Sequence, residues 1–178
     1  MTRRFDKMSR FAFSEGTNLI LMNQVGGSGD IVYDGTSGIL NSEGHLVMLL
    51  NSFKEDFKIF DTEAENAPFE VPFTTYNDRT RLIYEAACLG TRDYFLKNGY
   101  TKACVGLSGG IDSSVVACLA VGALGKENVK GLMMPSQFSS DSSVEDAKEL
   151  ADRLGIEYSV LPISEAYTSI VNTLKPAI

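Results

Sequence analysis

Ala103-Cys104-Val105-Gly106-Leu107-Ser108-Gly109-Gly110-Ile111-Asp112-Ser113-Ser114 is the stretch on which the fold turns. Small and apolar residues from Ala103 to Leu107 suit a buried parallel strand, and Ser108-Gly109-Gly110 interrupt it just before an apolar helix opens at Ile111. Backbone amides at such a helix start have no intrahelical partners and carry the positive end of the helix dipole, which makes the turn a receptor for phosphate oxygens. Ser108, Ser113 and Ser114 add hydroxyl donors, while Gly109 and Gly110 place no side chain between backbone and anion. The Gly-x-x-x-x-Gly-Lys-Ser/Thr phosphate loop is a different device. No lysine follows these glycines, and Asp112 stands where that loop has nothing comparable. A carboxylate beside polyphosphate repels it unless a divalent cation lies between them, so Asp112 implies Mg²⁺ as well as a bound polyphosphate.

Working outward, Val115, Val116, Leu119, Ala120 and Leu124 predict a buried face on the helix that Ile111 opens and Gly125 ends. Gly125-Lys126 imitates a phosphate loop but falls at a helix C-terminus, where the dipole favours cations, and Glu127 replaces the required hydroxyl. Val129–Met134 is the next expected strand, stopped by Pro135. Ser142-Ser143-Val144-Glu145 has the form of a capping box for a helix through Ala147, Leu150, Ala151 and Leu154 to Gly155. Tyr158–Leu161 predicts a third strand, and Ser164 starts a further helix. This β-α-β-α-β order predicts a parallel sheet with ligands at the carboxyl edge of its strands.

The chain of 178 residues, 44% apolar, can hold one ordinary domain or parts of two. Its net charge of −7 and lack of a basic cluster argue against nucleic acid or an anionic membrane as partner. No run approaches the length of a membrane span, and the expected location is the cytoplasm. Cys88, Cys104 and Cys118 lie in helix or strand patterns and read as reduced core thiols.

Upstream, Phe5, Met8, Phe11 and Ala12 predict an amphipathic helix from Arg3 to Glu15 with Gly16 as its stop. Leu19–Val25 reads as a strand, Gly26–Gly29 as a turn, and Asp30–Asp34 and Ser37–Asn41 as further strands. The turn 41–44 joins the last of these to His45–Leu50. The lone histidine, His45, reads as a solvated residue beside that turn. From residue 51 charge is dense and periodicity fades until Asp78, which N-caps a helix running to Asn98-Gly99.

Ser108-Gly109-Gly110-Ile111-Asp112-Ser113 resembles the signature of the ATP pyrophosphatases, which split ATP between its α- and β-phosphates. Asn23–Gly27, Val32–Ser37 and Asn41–Gly44 resemble the closing strands of nitrilase-type glutaminase domains. Gly90–Gly99, Gly106–Ser114, Leu124–Val129 and Met134-Pro135-Ser136 narrow the likeness to the glutamine-dependent NAD⁺ synthetase family. The resemblance implies a Rossmann-like α/β sheet of the ATP pyrophosphatase (adenine nucleotide alpha hydrolase-like) type, preceded by an incomplete nitrilase-like α/β sandwich. The implied division is 1–57 for the glutaminase part, 58–77 for a linker and 78–178 for the synthetase part. The implied reaction adenylates the nicotinate carboxylate of deamido-NAD⁺ with ATP and displaces AMP with ammonia from glutamine.

Carried over residue by residue, Gly106, Leu107, Ser108, Gly109, Gly110, Ile111, Asp112 and Ser113 form the ATP loop. Ser108 takes an active-site role, Asp112 holds Mg²⁺, and adenine lies by Met133 and Met134. Ser136, Ser139 and Ser140 read instead as ordinary loop polarity. The family's glutaminase glutamate, lysine and cysteine lie upstream of the strand that Asn18–Asn23 resembles, and its second Mg²⁺-binding acidic residue and deamido-NAD⁺ segments lie beyond Ile178. The expectation is therefore an excerpt, inactive by itself, of an enzyme that is homo-oligomeric when full-length. Another ammonia-using ATP pyrophosphatase, such as GMP synthetase or asparagine synthetase, shares the loop but not the nitrilase-like strands. A non-catalytic nucleotide-binding module is the third reading.

Overall fold

The computed structural model describes residues 2–61 and 78–175, in two compact units, Met1–Tyr94 and Phe95–Ile178. Most of the connection expected over 58–77 falls outside the described residues.

In the first unit, α1 (Thr2–Glu15) buries Ala12 completely and lays the Phe5 ring against Gly38. Phe11, expected on the same face, is half exposed, because the buried stripe runs through Phe5, Met8 and Ala12. Antiparallel strands β1 (Leu19–Leu21), β4 (Gly38–Leu40) and β5 (Leu46–Leu49) form one sheet in the order β1-β4-β5. Ile39, Leu40 and Leu49 are its core. The strand expected over Leu19–Val25 is in fact broken, and Val25–Ser28 is a strand (β2) hairpinned to β3 (Ile31–Asp34).

Of the glycines that read as a turn, Gly26 and Gly27 are thus ladder residues, and Gly29 remains in the turn. Gly26 needs to be glycine, with φ +127° and Asp93 Oδ2 3.0 Å from where a Cβ would stand, whereas a Cβ on Gly27 would make ordinary contact with Gly90 Cα and Asp93 Cβ at 3.4 Å. Gly90 and Asp93 belong to α2 (Arg79–Lys97), whose start is capped as expected by Asp78 accepting from Arg81 N at 2.9 Å.

In the second unit, β6 (Ala103–Gly106), β7 (Val129–Met133) and β8 (Glu157–Val160) pair in parallel in the order β6-β7-β8. Helices α3 (Ile111–Leu124) and α4 (Asp141–Leu154) pack on this sheet, and α5 (Ser164–Leu174) follows β8. Val105, Leu107, Val129, Met133 and Ile156 meet Ala117, Ala120, Ala147 and Ala151 in one core.

The buried face of α3 keeps Ala120 and Leu124 of the expected one but not its two valines. Val115 and Val116 are about half exposed, while Ala117, Ala120 and Ala123 are buried. A helix apolar all round offers periodicity no face to select, and the small residues go where α3 approaches the sheet and α4 closely. The helix ends at Gly125, and Lys126–Asn128 forms a 3₁₀ turn, away from any helix start.

On the other face of the sheet Lys130 bridges to Glu157, tying β7 to β8. The hydrogen bond from Lys130, then its charge, holds the Glu157 carboxyl below the usual carboxylate range. All three cysteines are reduced, but Cys104 is exposed rather than buried, because it alternates with buried Val105 on edge strand β6. Among the described residues no helix is long and apolar enough to cross a membrane.

Candidate functional site

The carboxyl ends of β6 and β7 open into a cavity of about 300 Å³. Gly106, Leu107 and Ser108 line one side, Met133, Met134 and Pro135 a second, and Ser139, Ser143 and Val144 a third. This is the edge at which a parallel α/β sheet takes ligands, since the helix starts point there.

The loop between β6 and α3 is held by its own serines. Ser108 and Ser113 share a hydroxyl-to-hydroxyl bond of 3.1 Å, and the amides of Gly110 and Ser108 donate to Ser108 Oγ and Ser113 Oγ respectively, both at 3.3 Å. The Ser113 and Ser114 hydroxyls each donate to the Gly110 carbonyl at 2.9 Å. Gly110 is the N-cap of α3 and supplies no side-chain cap, so the first-turn amides are not covered by a capping side chain.

Gly109 has φ +79°, and a Cβ there would run into the backbone of Ser143 in the first turn of α4. Only glycine allows that approach. It presses the loop onto a second helix start, so Ser108 of the loop and Ser143 and Val144 in the first turn of α4 line the same cavity. That second start is capped by Ser140, whose Oγ accepts from Ser143 N at 3.2 Å. In place of the capping box expected at Ser142–Glu145, a simple serine N-cap forms two residues earlier. Ser140 takes the cap because Ser136 and Ser139 close the preceding turn, with Ser136 N donating to Ser139 Oγ at 3.1 Å.

Of the residues expected to bind, Gly106, Leu107, Ser108 and Met134 line the cavity, and Gly109, Gly110 and Ser113 shape its loop. Ile111 and Asp112 are exposed in the first turn of α3 and are not among the lining residues. Met133 is buried in the core and its carbonyl accepts from Leu161 N at 2.8 Å. Met134, half exposed, is the member of that pair free to meet a ligand. Ser143 and Val144 were not expected at the site; the signal available for them was the helix start itself, which in a strand–loop–helix order must sit at the same sheet edge.

Among the described residues no group of three or more His, Cys, Asp and Glu could hold a metal. Asp112 offers one carboxylate at the mouth of a phosphate-type loop, which fits Mg²⁺, an ion usually held by one or two carboxylates with water and substrate phosphate completing its shell. His45 is exposed, 3.3 Å from Glu43, and takes no part in this site.

A family model described as NAD synthase matches residues 83–178, more than half of the chain. The chain belongs to the NAD synthase family. Its β6-β7-β8 sheet is accordingly of the ATP pyrophosphatase type. Glutamine-dependent NAD(+) synthetase from Aquifex aeolicus is 40% identical over 88% of this chain and 33% of its own length. The enzyme of the same name from Synechocystis is 40% identical over 89% of this chain and 29% of its own. The solved structure of glutamine-dependent NAD+ synthetase from Acinetobacter baumannii, in complex with ADP, superposes with a TM-score of 0.84 at 37% identity, covering 98% of this chain and 34% of that one. The first unit as well as the second therefore has its counterpart in that structure. This NAD synthase family chain spans about a third of the length of the curated relatives it matches.

Proposed function

We propose that this protein is a glutamine-hydrolysing NAD⁺ synthase, a ligase that amidates deamido-NAD⁺ at the expense of ATP. The nicotinate carboxylate attacks the α-phosphorus of ATP, forming an acyl adenylate as pyrophosphate leaves. Ammonia from glutamine then attacks the acyl carbon, and AMP leaves with the bonding pair. The observation that carries this reading is the serine-glycine loop pressed against a second helix start at one cavity, within the part of the chain that matches the family.

Gly106–Ser113 would cradle the triphosphate with backbone dipoles, which are already oriented before charge develops on pyrophosphate. Ser108 would face the reacting phosphates, its hydroxyl steered by Ser113. Met134 would flank the adenine. Asp112 would hold Mg²⁺, which when bound neutralises charge on the leaving group. Three reduced cysteines suit a reducing compartment such as the cytoplasm.

Another ammonia-using ATP pyrophosphatase would share the loop, but the family match speaks for the NAD synthase reading. Product analysis on the full-length gene product tests it. NAD⁺, AMP, pyrophosphate and glutamate are expected; ADP and phosphate would exclude an ATP pyrophosphatase, and GMP or asparagine as the amidated product would exclude this substrate.

A further inference from the structure

The phosphate-type loop holds one hydrogen-bond donor more than its own acceptors need. The Gly110 carbonyl accepts from Ser113 Oγ and Ser114 Oγ, each at 2.9 Å, and from Ser114 N at 3.2 Å. A carbonyl oxygen has two lone pairs, so one of these donors is surplus. Ser114 N belongs to the helical ladder that starts here and stays in place, so one of the two hydroxyls can leave without stranding the oxygen.

The direction of the remaining bonds follows from the protons available, one per hydroxyl, with two lone pairs on each oxygen. Ser113 donates its proton to the Gly110 carbonyl, so the proton in the 3.1 Å bond between Ser108 and Ser113 belongs to Ser108. Ser108 N donates to Ser113 Oγ and Gly110 N to Ser108 Oγ, both at 3.3 Å. Ser108 thus lines the cavity but directs its proton to Ser113, which is not among the lining residues. Toward a phosphate oxygen, which only accepts, it would present a lone pair.

We propose that Ser114 is a positioning residue: by serving the Gly110 carbonyl it lets the Ser108–Ser113 bond reverse when triphosphate binds, so that Ser108 donates to a phosphate oxygen. The inference rests on the functional reading above, which makes this cavity the nucleotide site. After reversal Ser108 Oγ accepts from Ser113 Oγ and Gly110 N, Ser113 Oγ still accepts from Ser108 N, and the Gly110 carbonyl keeps Ser114 Oγ and Ser114 N. Only hydroxyl protons turn. The surplus bond is given up, and a charge-assisted bond to the anion is gained. Without the Ser114 hydroxyl the same reversal leaves the carbonyl with the amide alone, and without the Ser113 hydroxyl there is no bond to reverse.

The experiment uses the full-length gene product and measures MgATP binding by calorimetry in wild type, Ser114→Ala, Ser113→Ala and the double variant. Ser114→Ala is expected to weaken binding about fivefold, the worth of one neutral hydrogen bond. The thermal midpoint of its nucleotide-free form should match wild type, because Ser113 Oγ and the amide at 114 still serve the carbonyl in the empty loop. On the Ser113→Ala background, adding Ser114→Ala should change binding by less than about twofold, the mark of two residues acting through one bond. Unchanged binding in Ser114→Ala, an equal loss on both backgrounds, or a loss accompanied by a lower nucleotide-free midpoint would overturn the inference alone. A wild-type protein that binds no MgATP would overturn the functional reading and the inference with it.

Discussion

Asp112 is exposed at the head of α3, so its replacement should test charge with little effect on packing. In Asp112→Asn, exchange of labelled pyrophosphate into ATP in the presence of deamido-NAD⁺ should fall about 100-fold or more, comparable to loss of one preorganised electrostatic contact in a transition state. Thermal unfolding should change little. Gly109→Ala should behave in the opposite sense: its φ of +79° alone costs about 1–2 kcal/mol for a residue with a Cβ, before the collision with Ser143 is added. Denaturant unfolding should register that loss, and calorimetry should show weaker MgATP binding.

Glu157 supplies a pH test. Its carboxyl is lowered in the folded protein by Lys130, so the stabilisation is complete above the ordinary glutamate range and disappears as pH falls through the lowered folded value. Lys130→Gln should move the Glu157 titration, followed by NMR, back toward that ordinary range.

At the scale of elements, hydroxyl-rich stretches hide which residue does the capping. Ser140→Ala should destabilise α4 by about 1 kcal/mol, whereas Ser142→Ala should have little effect; chemical denaturation of the two variants separates the cap that forms from the one the spacing suggested. Element existence was legible nearly throughout the second unit, because each strand and helix there is bounded by Gly, Pro or a cap. Faces were less legible. In α3 apolar residues surround the helix, and the choice of Ala117 and Ala120 over Val115 and Val116 for burial is a matter of how closely the sheet and α4 approach. Likewise Gly26 and Gly27 are poor strand formers by propensity, and became strand because β3 pairs with them, Gly26 at a φ of +127° that other residues rarely adopt.

For the whole molecule, the two compact units each have a core of their own, so ligand binding to the second should be visible as a local gain in stability. At about 100 times its dissociation constant a nucleotide adds about 2.7 kcal/mol to the state that binds it. Hydrogen exchange with and without MgATP should therefore slow in β6, β7 and the first turns of α3 and α4, and remain unchanged in β1, β4 and β5. Uniform protection, or none at the phosphate loop, would count against the cavity as the nucleotide site.

The sequence by itself determined the parallel α/β sheet and the position of the phosphate-type loop. Both follow from local rules: a buried strand must be apolar, a helix start must leave amides exposed, and Ser108-Gly109-Gly110 can serve only a turn between them. Only the tertiary structure decided which residues meet across that loop. Ser143 reaches the cavity because Gly109 lets one backbone touch another, and Gly27 finds Asp93 because a hairpin and a helix distant in sequence pack through paired glycines. Contacts of this kind depend on the shape left when side chains are absent, and a residue's own identity does not say which distant backbone will fill that space.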